Sequence, residues 1–355
     1  MTDGCSDEYA FCKELLSLTR LRIGVCGVGR IGRLHAENVA KSVERAQLVA
    51  VADPIRELAR TVAKEFGARA YFNPSDLIKK EQLDAIIIAT PTPTHVQLTE
   101  TAADAHIPVL LEKPIALTMK EADRIVSVAN GSGIKAQLGF NRRWDPGYLK
   151  AEAMIAKGEI GKPLVIKTCA RDPQPPPDEY IRKSGGIFVD ECIHDFDVAL
   201  WLMKSTVKQV WATGTTLVYP QFSKYGDYDN AVAILHFSNK GLGIIEGSRT
   251  SAYGYDLRTE VLGDQGQVRV DNWKEDSARL WTKKGALEDQ YPWFMKRFAE
   301  AYRREIDGFC DYVSKGEKSP VSVEEGREVL RVALAARESA RSKVPIELKI
   351  GRASA

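Results

Sequence analysis

Acid–base chemistry near neutral pH falls most often to histidine, and the ring works best with a second group to orient it. The run Gly186 to Trp201, GIFVDECIHDFDVALW, carries both. Val189, Cys192, Ile193, Phe196 and Leu200 recur at three- and four-residue steps and predict the apolar face of a helix over 187–203. On that helix Asp190, His194 and Asp197 stand at i, i+4 and i+7, which gives them a second common face. His194 then reads as a general base and Asp190 as its orienting partner. The same spacing suits an acidic stripe on a solvated helix. A divalent metal shared by Asp190 and His194 is a third reading. No second histidine or cysteine pair is placed to complete such a site, so no metal is expected.

Four more stretches hold reactive or ligand-binding types. Glu112-Lys113-Pro114 ends a short apolar run, where Lys113 sets a cation beside a reacting hydroxyl, or is one more solvated lysine. Residues 89–95, ATPTPTH, lead from an apolar run into a helical pattern, so Thr90, Pro91, Thr92 and His95 are placed to meet a ligand. They also read as a plain proline-rich connection with Thr94 as N-cap. Gly139 to Asp145, GFNRRWD, marks a change of pattern, where Arg142 or Arg143 reaches a ligand or serves an ion pair. Tyr253-Gly254-Tyr255-Asp256 opens a strand and presents a phenol to a site, or to an ordinary sheet surface.

Positioning these residues requires a scaffold, and its start is legible at residues 22–32, RIGVCGVGRIG. A short apolar strand runs into Gly27, Gly29 and Gly32. In such a turn the first glycine permits the bend, the second lets the backbone approach a pyrophosphate, and the third lets a helix pack on the strand. Arg30 and Ile31 open that helix, whose N-terminus offers N–H groups to phosphate. After a helix over 31–42, a strand over 48–52 ends at Asp53, which follows Gly32 by 21 residues. A dinucleotide fold places there the acid that bonds the adenosine ribose. Its charge favours NAD over NADP, although Arg56 lies three residues on. Helices over 55–66, 94–105 and 120–129 alternate with strands over 85–89, 109–111 and 135–138, the pattern of a doubly wound parallel sheet.

Past residue 140 the alternation stops. A helix over 148–156 and a strand over 164–170 precede a proline-rich loop. Beyond the helix at 187–203, strands over 207–213, 231–237, 241–248, 256–262 and 266–270 follow one another with turn residues between them. This predicts an open antiparallel sheet. Helices over 293–313 and 323–342 and a strand-like 346–350 complete the chain. The expected organisation is an extension over 1–20 with an amphipathic turn or two, an α/β Rossmann domain over 21–140, and an α+β domain over 141–355.

Composition excludes several classes of function. A chain of 355 residues with a formal net charge of +2 and its basic residues interspersed with acids lacks the footprint of a nucleic-acid binder. No apolar run approaches the roughly 20 residues of a membrane span. The 6 cysteines form no C-x-x-C pair, which argues against a zinc module and a disulfide scaffold and for a reducing, cytoplasmic setting.

The glycine turn continued by Gly-Arg-Leu-His-Ala-Glu (32–37), the Glu112-Lys113-Pro114 signature and the stretch bearing Asp190 and His194 together resemble the glucose-fructose oxidoreductase and inositol dehydrogenase family (Gfo/Idh/MocA). The resemblance runs from about residue 21 to the last helix. It implies Lys113, Asp190 and His194 as the catalytic group, Glu112 and Lys113 at the cofactor, and Asp172, Arg142 and Tyr255 around a polyol ring. Residues 171–177, RDPQPPP, followed by Ser184-Gly185-Gly186, look most like the members that oxidise myo-inositol to its 2-ketone with NAD. Other cyclitol or pyranose dehydrogenases share the frame, as would a non-catalytic NAD-sensing regulator. Asn141 and Glu191 depart from the apolar or small residues expected there, and both are expected, with Lys113, Asp190 and His194, among the substrate-binding residues. The family commonly forms tetramers through its second-domain sheet, so a homo-oligomer is expected.

Overall fold

The structure is a computed structural model that describes residues 20–272, 274–283, 285–316, 319 and 321–348. The expected amphipathic turns of the N-terminal extension, Cys5 and Cys12, and the end of the predicted 346–350 strand lie outside the described residues. The chain divides into two compact units. One comprises Met1–Glu112, Arg124–Gly139 and Tyr302–Pro320; the other comprises Lys113–Asp123, Phe140–Ala301 and Val321–Ala355.

The first unit is built on β1 (Leu21–Cys26), β2 (Ala46–Ala52), β3 (Arg69–Tyr71), β4 (Ala85–Ile88), β5 (Val109–Glu112) and β6 (Ala136–Gly139). They form a parallel sheet in the order β3-β2-β1-β4-β5-β6. This is the doubly wound order, with its switch point between β1 and β4. The strands are near-continuous apolar runs because helices cover both faces of such a sheet. Those helices are α1 (Arg30–Glu37, continued by a π-turn to Ser42), α2 (Arg56–Phe66), α3 (Pro74–Lys80), α4 (His95–Asp104) and α5 (Met119–Ser132). β3 and α3 fall where no element was expected. Asn73 caps α3 by accepting from the Ser75 N–H at 2.9 Å, with Pro74 at the first helical position.

In the second unit α6 (Pro146–Ala156) leads to β7 (Pro163–Arg171), α7 (Asp178–Lys183), α8 (Ile187–Asp190) and α9 (Ile193–Met203). The strands β8 (Val207–Thr215), β9 (Asn230–Phe237), β10 (Leu242–Ser248), β11 (Asp256–Gly263) and β12 (Gln267–Val270) follow. Next come a hairpin of β13 (Lys274–Thr282) and β14 (Gly285–Gln290), α10 (Phe294–Arg297), α11 (Ala299–Lys315), α12 (Val323–Ser342) and β15 (Ile346–Glu347). The large sheet has the order β12-β11-β7-β10-β9-β8-β15. It is mixed, not purely antiparallel as expected: β7 pairs with β10 in parallel. The reason is topological, since three helices and the β8–β9 hairpin intervene and return β10 beside β7 in the same direction. One face buries Ile166, Leu235, Ile245 and Val261. On the other, Trp211, Ile234 and Ile244 stand in cross-strand register, and Val232, Leu242 and Leu262 are also exposed or half-exposed.

The units are not cut once at residue 140. From Tyr302 onward α11 belongs to the first unit, where Ile306, Phe309 and Cys310 join Ile23, Val25, Val39 and Leu110 in one apolar core. Arg45 holds the same helix through Asp311 and, at 3.2 Å, Asp307.

Candidate functional site

In the first unit the glycine turn has the geometry its spacing implies. Gly27 has φ +80°, and a Cβ there would lie 2.7 Å from the Ala89 carbonyl oxygen. A Cβ on Gly32 would lie 1.8 Å from the Gly27 oxygen, so only glycine lets α1 approach β1. Around Gly29, by contrast, a Cβ would meet nothing within 4 Å. Gly29 is also the N-cap of α1 and brings no side chain to its first N–H groups, leaving the helix end open to an anion. Arg30 is exposed and Ile31 half-buried beside it. Asp53 ends β2 with both oxygens engaged, Oδ2 accepting from Val28 N–H at 3.0 Å and Oδ1 from Ile55 N–H at 2.9 Å. It therefore braces the turn while keeping further lone pairs. Arg56 stacks on the Phe72 ring at 4.7 Å. These residues fit a dinucleotide.

The loop after β4 is tied to itself. His95 is buried and donates from Nε2 to the Thr90 carbonyl at 3.0 Å, so it organises the loop and does not project from it. Thr94 is not an N-cap in the expected sense; its hydroxyl turns back to the Pro91 carbonyl at 2.8 Å. Thr90 is half-buried, Pro91 exposed and Thr92 half-buried. Glu112 also departs from expectation. Its carboxyl lies inside the unit, with Oε1 2.7 Å from Nε2 of buried His35. Buried Glu305 of α11 completes a group whose ligand atoms lie within 4.8 Å of one another. Two ligands of one tetrahedral ion stand about 3.3 Å apart, so the 2.7 Å contact is a hydrogen bond. Burial, and then the Glu112 charge, push the Glu305 carboxyl well above its ordinary range.

In the second unit the predicted 187–203 helix is broken. α8 ends at Asp190 and α9 begins at Ile193, so the regular i, i+4 spacing of Asp190 and His194 is interrupted between them. The break is anchored from outside. Asp227 accepts from the Ile187 N–H at 2.8 Å, and the Cys192 sulfur sits where a Cβ on Gly247 would lie 2.4 Å away. Asp190 consequently has other partners. Lys113 donates from Nζ to its carbonyl at 2.8 Å and to Oδ1 at 3.3 Å, and Tyr180 of α7 donates to Oδ1 at 2.7 Å. Arg249, just past β10, donates from Nη2 to Oδ2 at 2.9 Å. Burial alone would raise this carboxyl, but Lys113, Arg249 and the Tyr180 hydroxyl bring it down to about 2. Asp190 is thus a permanent anion that anchors Lys113, not the orienting partner of His194. Asp197 pairs with Arg143 at 2.7 Å.

His194 is half-buried, with its ring edge-on to Phe140 at 5.8 Å. Its Nδ1 is buried with no hydrogen-bond partner among the described residues. Burial, then the Lys113 and Arg142 charges, push its pKa well below the ordinary histidine value, so the ring is neutral at physiological pH. Arg142 is itself buried and donates to Asp195 at 2.8 Å, so its guanidinium is committed to an ion pair. Asn141 is buried in the same turn. Glu191 is buried beside Arg249 Nε at 3.3 Å, and burial with the Asp172 charge raises its pKa well above normal. Asp172 is half-buried, its backbone fixed by bonds with Ser248 and Ser251. Tyr255 is buried between Phe294 and Phe298, and burial raises its phenol. Tyr253 is exposed and links Arg171 to Asp256. Lys113, Asp172, Asp190, Glu191 and His194 thus belong to one electrostatic neighbourhood. Tyr180 and Arg249 join it without having been expected. Tyr180 sits in a run dominated by prolines, and Arg249 is a single cation at the end of an apolar strand; neither carries a local signal.

Comparison with known proteins matches both parts of the chain to one family. Residues 21–140 match an oxidoreductase family described by its NAD-binding Rossmann fold, and residues 152–348 match the C-terminal alpha/beta domain of the same family. The chain is 38% identical over 331 residues to a myo-inositol 2-dehydrogenase of Thermotoga maritima, covering 93% of this chain and 99% of that protein. It is 37% identical over 335 residues to an NAD(+)-dependent scyllo-inositol 2-dehydrogenase of Bacillus subtilis, covering 94% and 98%. A crystal structure of a Lactobacillus casei scyllo-inositol dehydrogenase with bound NAD(H) and scyllo-inositol superposes with a TM-score of 0.88 at 28% identity, covering 93% of this chain and 99% of that one. No helix among the described residues is long and apolar enough to cross a membrane. The chain belongs to the Gfo/Idh/MocA oxidoreductase family, with an NAD-binding Rossmann unit and the family's C-terminal α/β unit.

Proposed function

We propose that the protein oxidises a secondary alcohol of a cyclic polyol to the ketone, with NAD as cofactor and myo-inositol as the leading substrate. The observation that carries the reading is Lys113 held by the buried anion Asp190 in the same neighbourhood as a neutral His194. The polyol class comes from the names of relatives more than a third identical over nearly the whole chain. Scyllo-inositol is the second candidate, on the strength of the B. subtilis relative, and oxidation of either isomer leads to the same ketone.

Gly27, Gly29, Arg30, Ile31, Gly32 and Asp53 bind the dinucleotide, with Thr90, Pro91 and Thr92 beside it. When bound, NAD supplies the hydride acceptor. His194 takes the hydroxyl proton at Nε2, because Nδ1 is closed off. The Lys113 ammonium stabilises the oxygen as negative charge develops on it. Asp190 keeps that ammonium in place, while Asp172 and Glu191 accept or donate hydrogen bonds to other ring hydroxyls and Tyr255, Asn141 and Arg142 shape the wall behind them. The exposed apolar face of the large sheet supports assembly into a homotetramer, and the four free cysteines among the described residues support a cytoplasmic setting.

The test is a panel of myo-inositol, scyllo-inositol, other inositol isomers and pyranoses with NAD and with NADP, read by nicotinamide reduction. Turnover of a pyranose but of no inositol refutes the substrate class. Lys113→Ala and His194→Ala should abolish turnover and leave NAD binding intact; turnover near wild type in either refutes the assigned roles.

A further inference from the structure

We propose that Arg249 is a positioning residue for this reaction: its guanidinium fixes the Asp190 carboxylate, with Glu191 in ion-pair range beside it, and Asp190 in turn anchors Lys113. The inference rests on the roles given above to Lys113 and Asp190.

Arg249 is held at both ends. Its backbone N–H donates to the Asp229 carbonyl at 2.8 Å, and its guanidinium lies 5.6 Å from the Phe222 ring centre with the side chain 3% exposed. From that seat Nη2 reaches Asp190 Oδ2 at 2.9 Å and Nε reaches Glu191 Oε2 at 3.3 Å. Neighbours on a continuous helix point about 100° apart and do not share a partner. The break between α8 and α9 removes that constraint, and both carboxyls flank one cation. With Oδ2 held by Arg249 and Oδ1 by Tyr180, the Asp190 carboxylate cannot rotate.

Lysine is a point charge on a flexible stem and takes its place from its counter-ion. Lys113 meets Asp190 at the backbone carbonyl oxygen and at Oδ1, so the carboxylate supplies one of the two anchors that set where the ammonium stands. The charged and titratable groups acting on Asp190 are Lys113, Tyr180 and Arg249 on one side of the balance, and the carboxyls of Glu191 and Asp227 on the other. Removing Arg249 leaves one cation against three carboxyls.

The experiment compares Arg249→Met, which keeps the stem without charge, and Arg249→Lys, which keeps charge without the fork. Thermal melting and NAD binding report folding. Steady-state kinetics are taken across pH with the best polyol of the panel and Lys113→Ala as control. Folded Arg249→Met should lose about 100-fold in kcat, the cost of a misplaced catalytic group. Its acid limb, set by His194, should move up by about one pH unit, because a Lys113 ammonium out of place depresses the His194 pKa less. Arg249→Lys should recover about tenfold of that loss and part of the limb. A folded Arg249→Met with kcat within about threefold of wild type and an unmoved limb overturns the proposal. If Arg249→Met does not fold, Arg249→Lys decides by the same two readouts, because a charge alone satisfies a structural need. Normal turnover in Lys113→Ala would instead overturn the reading of the site itself. An inactive Lys113→Ala beside an active arginine variant overturns Arg249 alone.

Discussion

Glu305→Gln should stabilise the protein, and by more the higher the pH. Glu305 is fully buried, and neither carboxyl oxygen has a hydrogen-bond partner among the described residues. Burial and the Glu112 carboxylate raise its pKa well above the ordinary range. The unfolded chain releases this proton near its ordinary pKa of about 4.3, whereas the folded chain retains it. Between the two values the native state therefore holds one proton more than the unfolded state, and stability falls by about 1.4 kcal/mol per pH unit. Glutamine has nearly the shape of the protonated acid and does not titrate. Its advantage over wild type should thus grow by as much as about 3 kcal/mol between about pH 5.5 and about pH 7.5. Urea unfolding of both proteins at these two values measures it. Glu305→Ala is the control: it leaves a cavity, and should be less stable than Glu305→Gln at both. Parallel pH curves for wild type and Glu305→Gln would refute the reasoning, because they would mean that Glu305 is ionised in the fold.

Gly29→Ala should fold like wild type, since its Cβ meets nothing within 4 Å, yet weaken NAD binding by about tenfold or more; unchanged affinity by calorimetry would remove the pyrophosphate from that turn. The His194 C2 proton should show no titration near its ordinary pKa of about 6.5, and Lys113→Met should bring its titration upward because one depressing charge is gone. The unfolded chain binds this proton at a higher pH than the fold does, so His194 costs stability as pH falls below about 6.5. An NMR titration that finds an ordinary pKa in wild type refutes the neutral base. Ile244→Lys, on the exposed face of the large sheet, should lower the mass seen by sedimentation velocity; an unchanged mass places the oligomer contact elsewhere.

Backbone geometry was legible where the signal is short-range, and side-chain partners were not. The turn at Gly27, Gly29 and Gly32 and the acid at Asp53 are short-range features, and each is found in the geometry its spacing implies. The residues 187–203 carry unbroken helical periodicity, but the helix breaks at Glu191-Cys192, where the Cys192 sulfur packs against Gly247, a residue distant in the chain. The partners of Asp190 were missed for the same reason. Arg249 lies 59 residues away and identifies itself only through contact. Glu112 and His95 were placed toward a ligand because strand ends usually face one, and each instead bonds inside its own unit. The β13–β14 hairpin lacked a signal of another kind, since KEDSARLWT has no clean two-residue alternation.

The return of α11 to the first unit has a consequence for how this protein can be taken apart or recombined. A gene segment ending near codon 140 encodes every strand of the cofactor sheet but not Ile306, Phe309 or Cys310, which occupy its core. It also leaves Arg45 without Asp307 and Asp311. The cofactor half is therefore not a detachable cassette, and exchange of this region between relatives must carry the segment from Tyr302 with it. A crossover at the apparent boundary would join two correct sequences and open a hole in the interior of one of them.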